Sequence, residues 1–179
     1  VSGHVRVTAG DLKNRRLAVN RGARPTSEKA RAALFDIFGS WIEGRRVLEL
    51  YAGSGAVAIE ALSRGAASAV AVDSDASALI ENRRSLSLDF EILNLPAETA
   101  IARLAREGRR FDLIFLDPPY GRGPGASLVS GLSVLLSGEG LVVWQTDSPG
   151  LPDAGPDLSV ERIARYGRNV LSFLKRPSA

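Results

Sequence analysis

Cysteine is absent from the 179-residue sequence, and histidine occurs once, as His4. Disulfides and thiolate metal sites are therefore excluded, and a zinc or iron centre would have to be built from carboxylates alone, so metal-free chemistry is expected. No apolar run approaches the roughly 18 residues that span a bilayer, and the reading is of a non-membrane protein. Val1 to Gly10 lacks the long apolar stretch and small-residue cleavage site of a secretory signal, which predicts a cytoplasmic location. Repeats, low-complexity tracts and linkers are also missing. The length suits one domain with a small appendage, and nothing in it demands more than a monomer.

A surplus of positive charge is missing outside one segment. Formal net charge is +3, yet residues 1–46 hold ten Lys and Arg against four Asp and Glu, and the remainder holds thirteen against sixteen. Lys13, Arg15, Arg16, Arg21 and Arg24 cluster in a glycine-containing stretch that could follow a phosphate backbone, where cations release condensed counterions on binding.

The apolar pattern divides the chain into alternating elements. Val5-Arg6-Val7-Thr8 and Leu17-Ala18-Val19, separated by Gly10, Asp11 and Asn14, predict a β-hairpin. Ala30, Leu34, Ile37, Phe38 and Trp41 recur at helical spacing from Glu28 to about Ile42, with Thr26 or Ser27 as the cap. Strands are predicted at Val47-Leu50, Ala69-Asp73, Glu91-Leu93 and Phe111-Leu116. Helices are predicted between them at Ala56-Arg64, Ala76-Leu88 and Ala97-Arg106. Such alternation signals a parallel sheet covered by helices. A helix at Ala126-Leu136, a strand at Gly140-Gln145 and an antiparallel pair, Leu158-Tyr166 with Asn169-Lys175, complete the chain. Ser148 to Asp157 is a proline- and glycine-rich surface loop.

Val47 to Leu50 runs into Tyr51-Ala52-Gly53-Ser54-Gly55, a buried strand entering a glycine turn before a helix. Gly53 and Gly55 let backbone approach a ligand closely, and a helix N-terminus offers N–H groups to negative charge. Asp73 ends the next strand, where a carboxylate can accept both hydroxyls of a ribose. Gly53-x-Gly55-x-x-Ala58 also satisfies a relaxed dinucleotide fingerprint, so a nicotinamide-dependent oxidoreductase stays open on these residues. Glu49, an acid inside a buried strand, requires a polar partner.

Phe111 to Leu116 leads into Asp117-Pro118-Pro119-Tyr120, the most specific signal in the chain. The prolines fix the backbone at a strand's carboxyl end, where open α/β sheets bind ligands, and hold a carboxylate, a carbonyl and an aromatic ring together. An amino group on a base is a poor nucleophile because its lone pair is delocalised into the ring. If Asp117 and the Pro118 carbonyl each accept one N–H, that lone pair is steered toward an electrophile. Tyr120 would stack on an extruded base. A dehydrogenase has no use for this arrangement.

On these residues the chain resembles the RsmD group of bacterial small-subunit ribosomal RNA guanine-N2 methyltransferases. The likeness rests on Arg6-Val7-Thr8-Ala9-Gly10, Lys13-Asn14-Arg15-Arg16-Leu17, Arg24-Pro25-Thr26 with Arg31 and Leu34-Phe35. It continues through Leu50 to Gly55, Glu60-Ala61-Leu62-Ser63-Arg64-Gly65-Ala66 and Asp117 to Tyr120. The resemblance implies a Rossmann-like domain, residues 25–179, whose seven-stranded sheet is mostly parallel with an antiparallel last strand, preceded by a basic hairpin extension, residues 1–24. It implies S-adenosylmethionine as donor, S-adenosylhomocysteine as product, and methylation of 16S ribosomal RNA of the guanine-966 N2 type in a partly or fully assembled small subunit. It places Tyr51, Ser74, Pro96 and Ala97 with Glu49, Gly53, Gly55, Asp73 and Asp117 around the cofactor. Asp117, Pro118, Pro119 and Tyr120 form the catalytic segment. Arg6, Lys13, Arg15, Arg16, Arg24, Thr26 and Arg31 are placed on the RNA, with Arg31 facing the pocket.

Two positions depart from the pattern. Asn94-Leu95-Pro96-Ala97-Glu98 lacks the acidic or amide residue that usually precedes the alanine, leaving backbone near Pro96 and Ala97 for the adenine. Asp73 stands where Glu is more usual, and Asp75 is assigned to capping the following helix. Methylation of adenine N6 in DNA or RNA, methylation of a protein glutamine and a non-catalytic RNA-binding module are the competing readings. Asp117 in place of Asn weakens the glutamine option, and intact Gly53, Gly55, Asp73 and Asp-Pro-Pro-Tyr weaken the last.

Overall fold

The structure is a computed structural model that describes residues 5–20, 28–119, 126–146 and 153–177. Arg24, the Thr26 or Ser27 cap, Tyr120 and the first half of the loop predicted from Ser148 lie outside the described residues. Strands β1 (Val5–Arg6) and β2 (Arg16–Leu17) form a hairpin, shorter than the apolar runs suggested. Helix α1 covers Glu28–Phe38 and tightens into a 3₁₀ turn at Gly39–Ile42, because Gly39 takes a φ of 52° and breaks the α ladder. The alternation then proceeds as β3 (Arg46–Leu50), α2 (Ala56–Ser63), β4 (Ser68–Asp73), α3 (Ser77–Ser85), β5 (Glu91–Asn94), α4 (Ala97–Arg106) and β6 (Phe111–Leu116). Helix α3 stops short of the predicted Leu88, and Ser87 has a left-handed φ of 52°. The chain continues as α5 (Ala126–Leu135), β7 (Leu136–Thr146), β8 (Ser159–Tyr166) and β9 (Asn169–Lys175).

Seven strands form one sheet in the order β5-β4-β3-β6-β7-β9-β8. The first five in that order are parallel, and β9 runs antiparallel to both β7 and β8. The succession moves one way from β3 to β5 and then resumes on the other side of β3 with β6. A crevice outside the carboxyl ends of β3 and β6 is where such a reversal places a ligand.

Side chains alternate between two buried layers. Val47, Ala69, Ala71, Leu113, Phe115, Val143 and Leu171 pack toward α1, α2 and α3, while Leu48, Val70, Ile114, Leu116 and Trp144 pack toward α4 and α5. Period two carries the consequence outward: Glu49, Asp73, Asp117 and Gln145 fall on the α1–α2–α3 face of β3, β4, β6 and β7. Among the described residues no helix is long and apolar enough to cross a membrane.

The hairpin is packed along α2 and α3, with Val5, Val7 and Leu17 inside the layer on that face. Its reversal passes so close to the end of α2 that a Cβ on Gly10 would lie 1.8 Å from the Ser63 carbonyl oxygen, and Gly10 has a φ of 79°. The clasp centres on the fully buried Glu60. Its carboxylate accepts the Thr8 and Ala9 amides at 2.8 and 3.0 Å, the Thr8 hydroxyl at 2.6 Å and Arg64 Nε at 2.9 Å.

Arg31, expected to face the pocket and meet RNA, is 0% exposed. Its Nε lies 3.4 Å from Glu60, one terminal nitrogen donates to the Arg6 carbonyl, and the other has no hydrogen-bond partner among the described residues. The buried acid of α2 needs a counter-charge, and Arg31 supplies it from α1. Removing the acid by Glu60→Ala would strand that guanidinium and is expected to cost about 3–5 kcal/mol in urea unfolding. A loss under about 1 kcal/mol, the size typical of an exposed pair, would contradict this role.

Candidate active site

Glu49 finds its polar partner at the start of α2. Its carboxylate accepts the Val57 and Ala58 amides at 3.2 and 2.7 Å. These are the first-turn groups that helix geometry leaves without intrahelical acceptors, and a negative charge there suits the helix dipole. Burial pushes the Glu49 carboxyl up to about 7, against the lowering effect of the Ala58 and Val57 amides and of Arg31. The sequence left the helix N-terminus open to ligand charge; in the structure two of its amides are already engaged. A dinucleotide's pyrophosphate would compete with an acid for that place, which disfavours the nicotinamide reading.

The turn between β3 and α2 is tied to β4. The Gly53 amide donates to Asp73 Oδ2 at 2.7 Å, and the Asp75 amide to Asp73 Oδ1 at 2.9 Å. Each carboxylate oxygen retains acceptor capacity for a ribose hydroxyl. Gly55 has a φ of 74°, a backbone conformation that strains any residue with a side chain, and a Cβ there would stand 2.6 Å from Leu79 Cδ2. Asp75, expected to cap α3, instead precedes its N-cap, which is Ala76, and receives the Ser77 amide and hydroxyl at 3.1 and 2.7 Å in a local turn. Ser74 is exposed beside it. The Asn94 amide, with its NH₂ toward the exit of β4, donates to the Ser74 and Asp73 carbonyls at 2.9 and 3.2 Å.

Tyr51 leaves the strand in the left-handed region, with a φ of 56°, and packs on the α4 side of the sheet. Its hydroxyl donates to Glu98 at 3.5 Å, and burial, with the Glu98 charge adding, pushes the phenol up to about 12. Pro96 is exposed and forms the N-cap of α4, while Ala97 is buried behind it. Tyr51, Pro96 and Glu98 therefore border the crevice from β3 and β5.

Asp117 and Pro118 are half-buried and Pro119 is exposed at the exit of β6. Strand β3 separates β6 from β4, so Asp117 and Asp73 flank the glycine turn with roughly 10 Å between their strands. Both project to the same face. Two residues that no motif marked complete the arrangement. Gln145 Nε2, from β7, donates to Asp117 Oδ2 at 2.8 Å. Asn82, buried on α3, donates to the Ser54 carbonyl at 2.8 Å and pairs with both backbone groups of Ala18 at 2.7 and 3.0 Å. An amide inside an otherwise apolar helix face or strand was the available signal.

The basic residues lie elsewhere. Lys13, Arg15 and Arg16 are exposed at the hairpin tip, beside Ser63 and Ser85 at the ends of α2 and α3. Eight residues of α2 separate that end from the glycine turn, a distance of about 12 Å at 1.5 Å per residue. Arg6 is exposed higher on the hairpin, its amide donating to Glu28 at 2.6 Å. Among the described residues no three carboxylates or histidines gather as a metal site.

Comparison with known proteins gives four findings. The family model described as Conserved hypothetical protein 95 matches residues 5–175. The chain is 32% identical to ribosomal RNA small subunit methyltransferase D of Escherichia coli K12, over 98% of this chain and 91% of that one. Among solved structures it is similar to the Thermus thermophilus hypothetical protein TTHA0928, with a TM-score of 0.81 and 34% identity over 94% of this chain and 98% of that one. The Thermus 16S rRNA N2 G1207 methyltransferase RsmC, solved with AdoMet and guanosine, shares the fold at a TM-score of 0.73 and 20% identity, covering 98% of this chain and 50% of that one.

Because the Glu49 carboxyl is raised from 4.5 to about 7, the folded state keeps a proton that the unfolded chain releases in that window. Its contribution to stability is full below the lower value and lost as pH rises through the upper one. Wild type measured against Glu49→Gln should therefore lose about 3 kcal/mol across the window, at 1.36 kcal/mol per pKa unit. A pH-independent difference would contradict it.

Proposed function

The chain belongs to the RsmD family of ribosomal RNA methyltransferases, and from that premise we propose that it methylates the exocyclic N2 of one guanine in 16S ribosomal RNA. The observation that carries this is the placement of Asp117 across β3 from Asp73, on one face of the sheet, with the glycine turn between them. S-adenosylmethionine, when bound, supplies an electrophilic methyl group. Gly53 and Gly55 admit it close to the backbone, Asp73 receives the ribose hydroxyls, and the acid at Glu49 suits a cationic amino-acid moiety better than a phosphate. Backbone around Pro96 and Ala97, with Ser74 and Tyr51, encloses the adenine.

Asp117 and the Pro118 carbonyl act on the base. Each accepts one N–H of the amino group, which restores nucleophilic character to its lone pair and stabilises the positive charge that develops on nitrogen. Tyr120 stacks on the extruded base. The partner is RNA in a partly or fully assembled small subunit, met by a monomer in the cytoplasm. Arg6, Lys13, Arg15 and Arg16 position it through phosphates, together with Arg24 and Thr26 from the segment outside the described residues. Since the hairpin tip sits about 12 Å along α2 from the crevice, the RNA follows the flank of α2 and α3 while one base enters the site.

Labelled methyl transfer to small subunits lacking the modification should give N2-methylguanosine on nucleoside analysis. N6-methyladenosine would favour the adenine reading, and label outside RNA would overturn both. Asp117→Ala should lower transfer at least about a hundredfold while leaving S-adenosylhomocysteine affinity unchanged. Retained turnover contradicts its role. Changing Arg15 and Arg16 together to Ala should weaken RNA binding and reduce the slope of log K against log salt by about 1.5. An unaltered slope would remove the hairpin tip from the interface.

A further inference from the structure

Gln145 lies on β7 within hydrogen-bond reach of the catalytic segment. Leu116 pairs with Trp144 across the β6–β7 ladder, so Gln145 follows beside Asp117 and projects to the same face. It is 4% exposed, in a layer shared with Val143 and Leu171. Packing alone calls for an aliphatic residue at such a position. An amide is found instead, and only half of it is used: Nε2 donates to Asp117 Oδ2 at 2.8 Å, while the buried Oε1 has no hydrogen-bond partner among the described residues.

The half-used amide has a direct physical cause. An ionised carboxylate only accepts, so the NH₂ end must face Asp117 and the carbonyl end is turned away from it. A buried acceptor without a donor is unfavourable, and a side chain that keeps it does so for what the other end achieves. That end fixes one oxygen of Asp117, and with it the plane of the carboxylate. Acceptance of a target N–H depends on that plane, because nitrogen must be presented with its lone pair along the line of methyl transfer.

We infer that Gln145 is the positioning residue for Asp117, orienting the carboxylate that receives the target amine. The inference rests on the reading of Asp117 given above. Gln145 touches neither base nor cofactor in this role; it acts through the rotamer of Asp117.

The test compares Gln145→Leu with Gln145→Glu, each checked for thermal unfolding and for S-adenosylhomocysteine binding. Leucine keeps the bulk and removes the donor. Glutamate beside a carboxylate retains a proton above the ordinary carboxylate range, since like charges raise the affinity for it, and in that form it donates as the amide does. Positioning predicts that the leucine variant loses about a hundredfold in kcat with little change in KM for the small subunit. The glutamate variant then keeps most of its turnover at the acid end of the pH profile and declines as pH rises and the shared proton leaves. A packing role predicts the reverse order, with leucine tolerated in an apolar layer and the buried acid damaging. Activity lost in both variants, or in neither, overturns the inference. Asp117→Ala run alongside separates the two levels: an active Asp117→Ala enzyme defeats the reading of the site, whereas an inactive one with a fully active leucine variant defeats only the role of Gln145.

Discussion

Two amides of α2, on Val57 and Ala58, close on one buried carboxylate, Glu49, and much of the site follows from that contact. It fixes the angle at which the chain leaves β3, because the acid sits in the strand and its partners sit in the helix, with the glycine turn spanning the gap. It also sets the sign of the crevice. A helix N-terminus that attracts anions elsewhere is here already supplied with an acid, so a diphosphate loses its best anchor and a cationic group gains one. This supports the proposed amino-acid nucleoside over a dinucleotide.

The hairpin is bound to this machinery through polar side chains that are met on several sides. Asn82 joins Ala18 of the hairpin to Ser54 of the glycine turn, and Asn20 receives the Ala78 amide and reaches Asp75 beside Asp73. Glu60 gathers Thr8, Ala9, Arg31 and Arg64 at the other end. Side-chain amides and carboxylates in such places are costly unless their groups are met. Their presence means that the segment carrying the basic residues and the glycine turn keep one fixed relation.

Most of the architecture was legible because period two and period 3.6 leave different marks on a sequence. Val47 to Leu50, Phe111 to Leu116 and the glycine punctuation between elements are local features, and local features are what a one-dimensional pattern records. Asp73, Asp117 and Glu49 could be chosen because strand ends and buried acids stand out chemically. Their common face followed only once strand order and register were known. Arg31 was misread for the same reason: an arginine on a helix is ordinarily exposed, and nothing near it in sequence reveals that Glu60 lies opposite. Gln145 and Asn82 act across separations of 28 residues from Asp117 and from Ser54, beyond the reach of any motif. The 3₁₀ turn at Gly39 was missed because helical spacing persists through Trp41 although the hydrogen bonding changes.

The central claim is that the methyl donor and the target nitrogen meet between the glycine turn and Asp117. It is tested most directly with a single molecule in which the S-adenosyl group is joined covalently to N2 of guanosine, its affinity measured against that of S-adenosylhomocysteine. The account predicts binding about a hundredfold tighter than the product alone, with that gain lost in Asp117→Ala while the affinity for S-adenosylhomocysteine stays unchanged. Equal affinity for the two ligands, or a gain that survives the loss of Asp117, would contradict it.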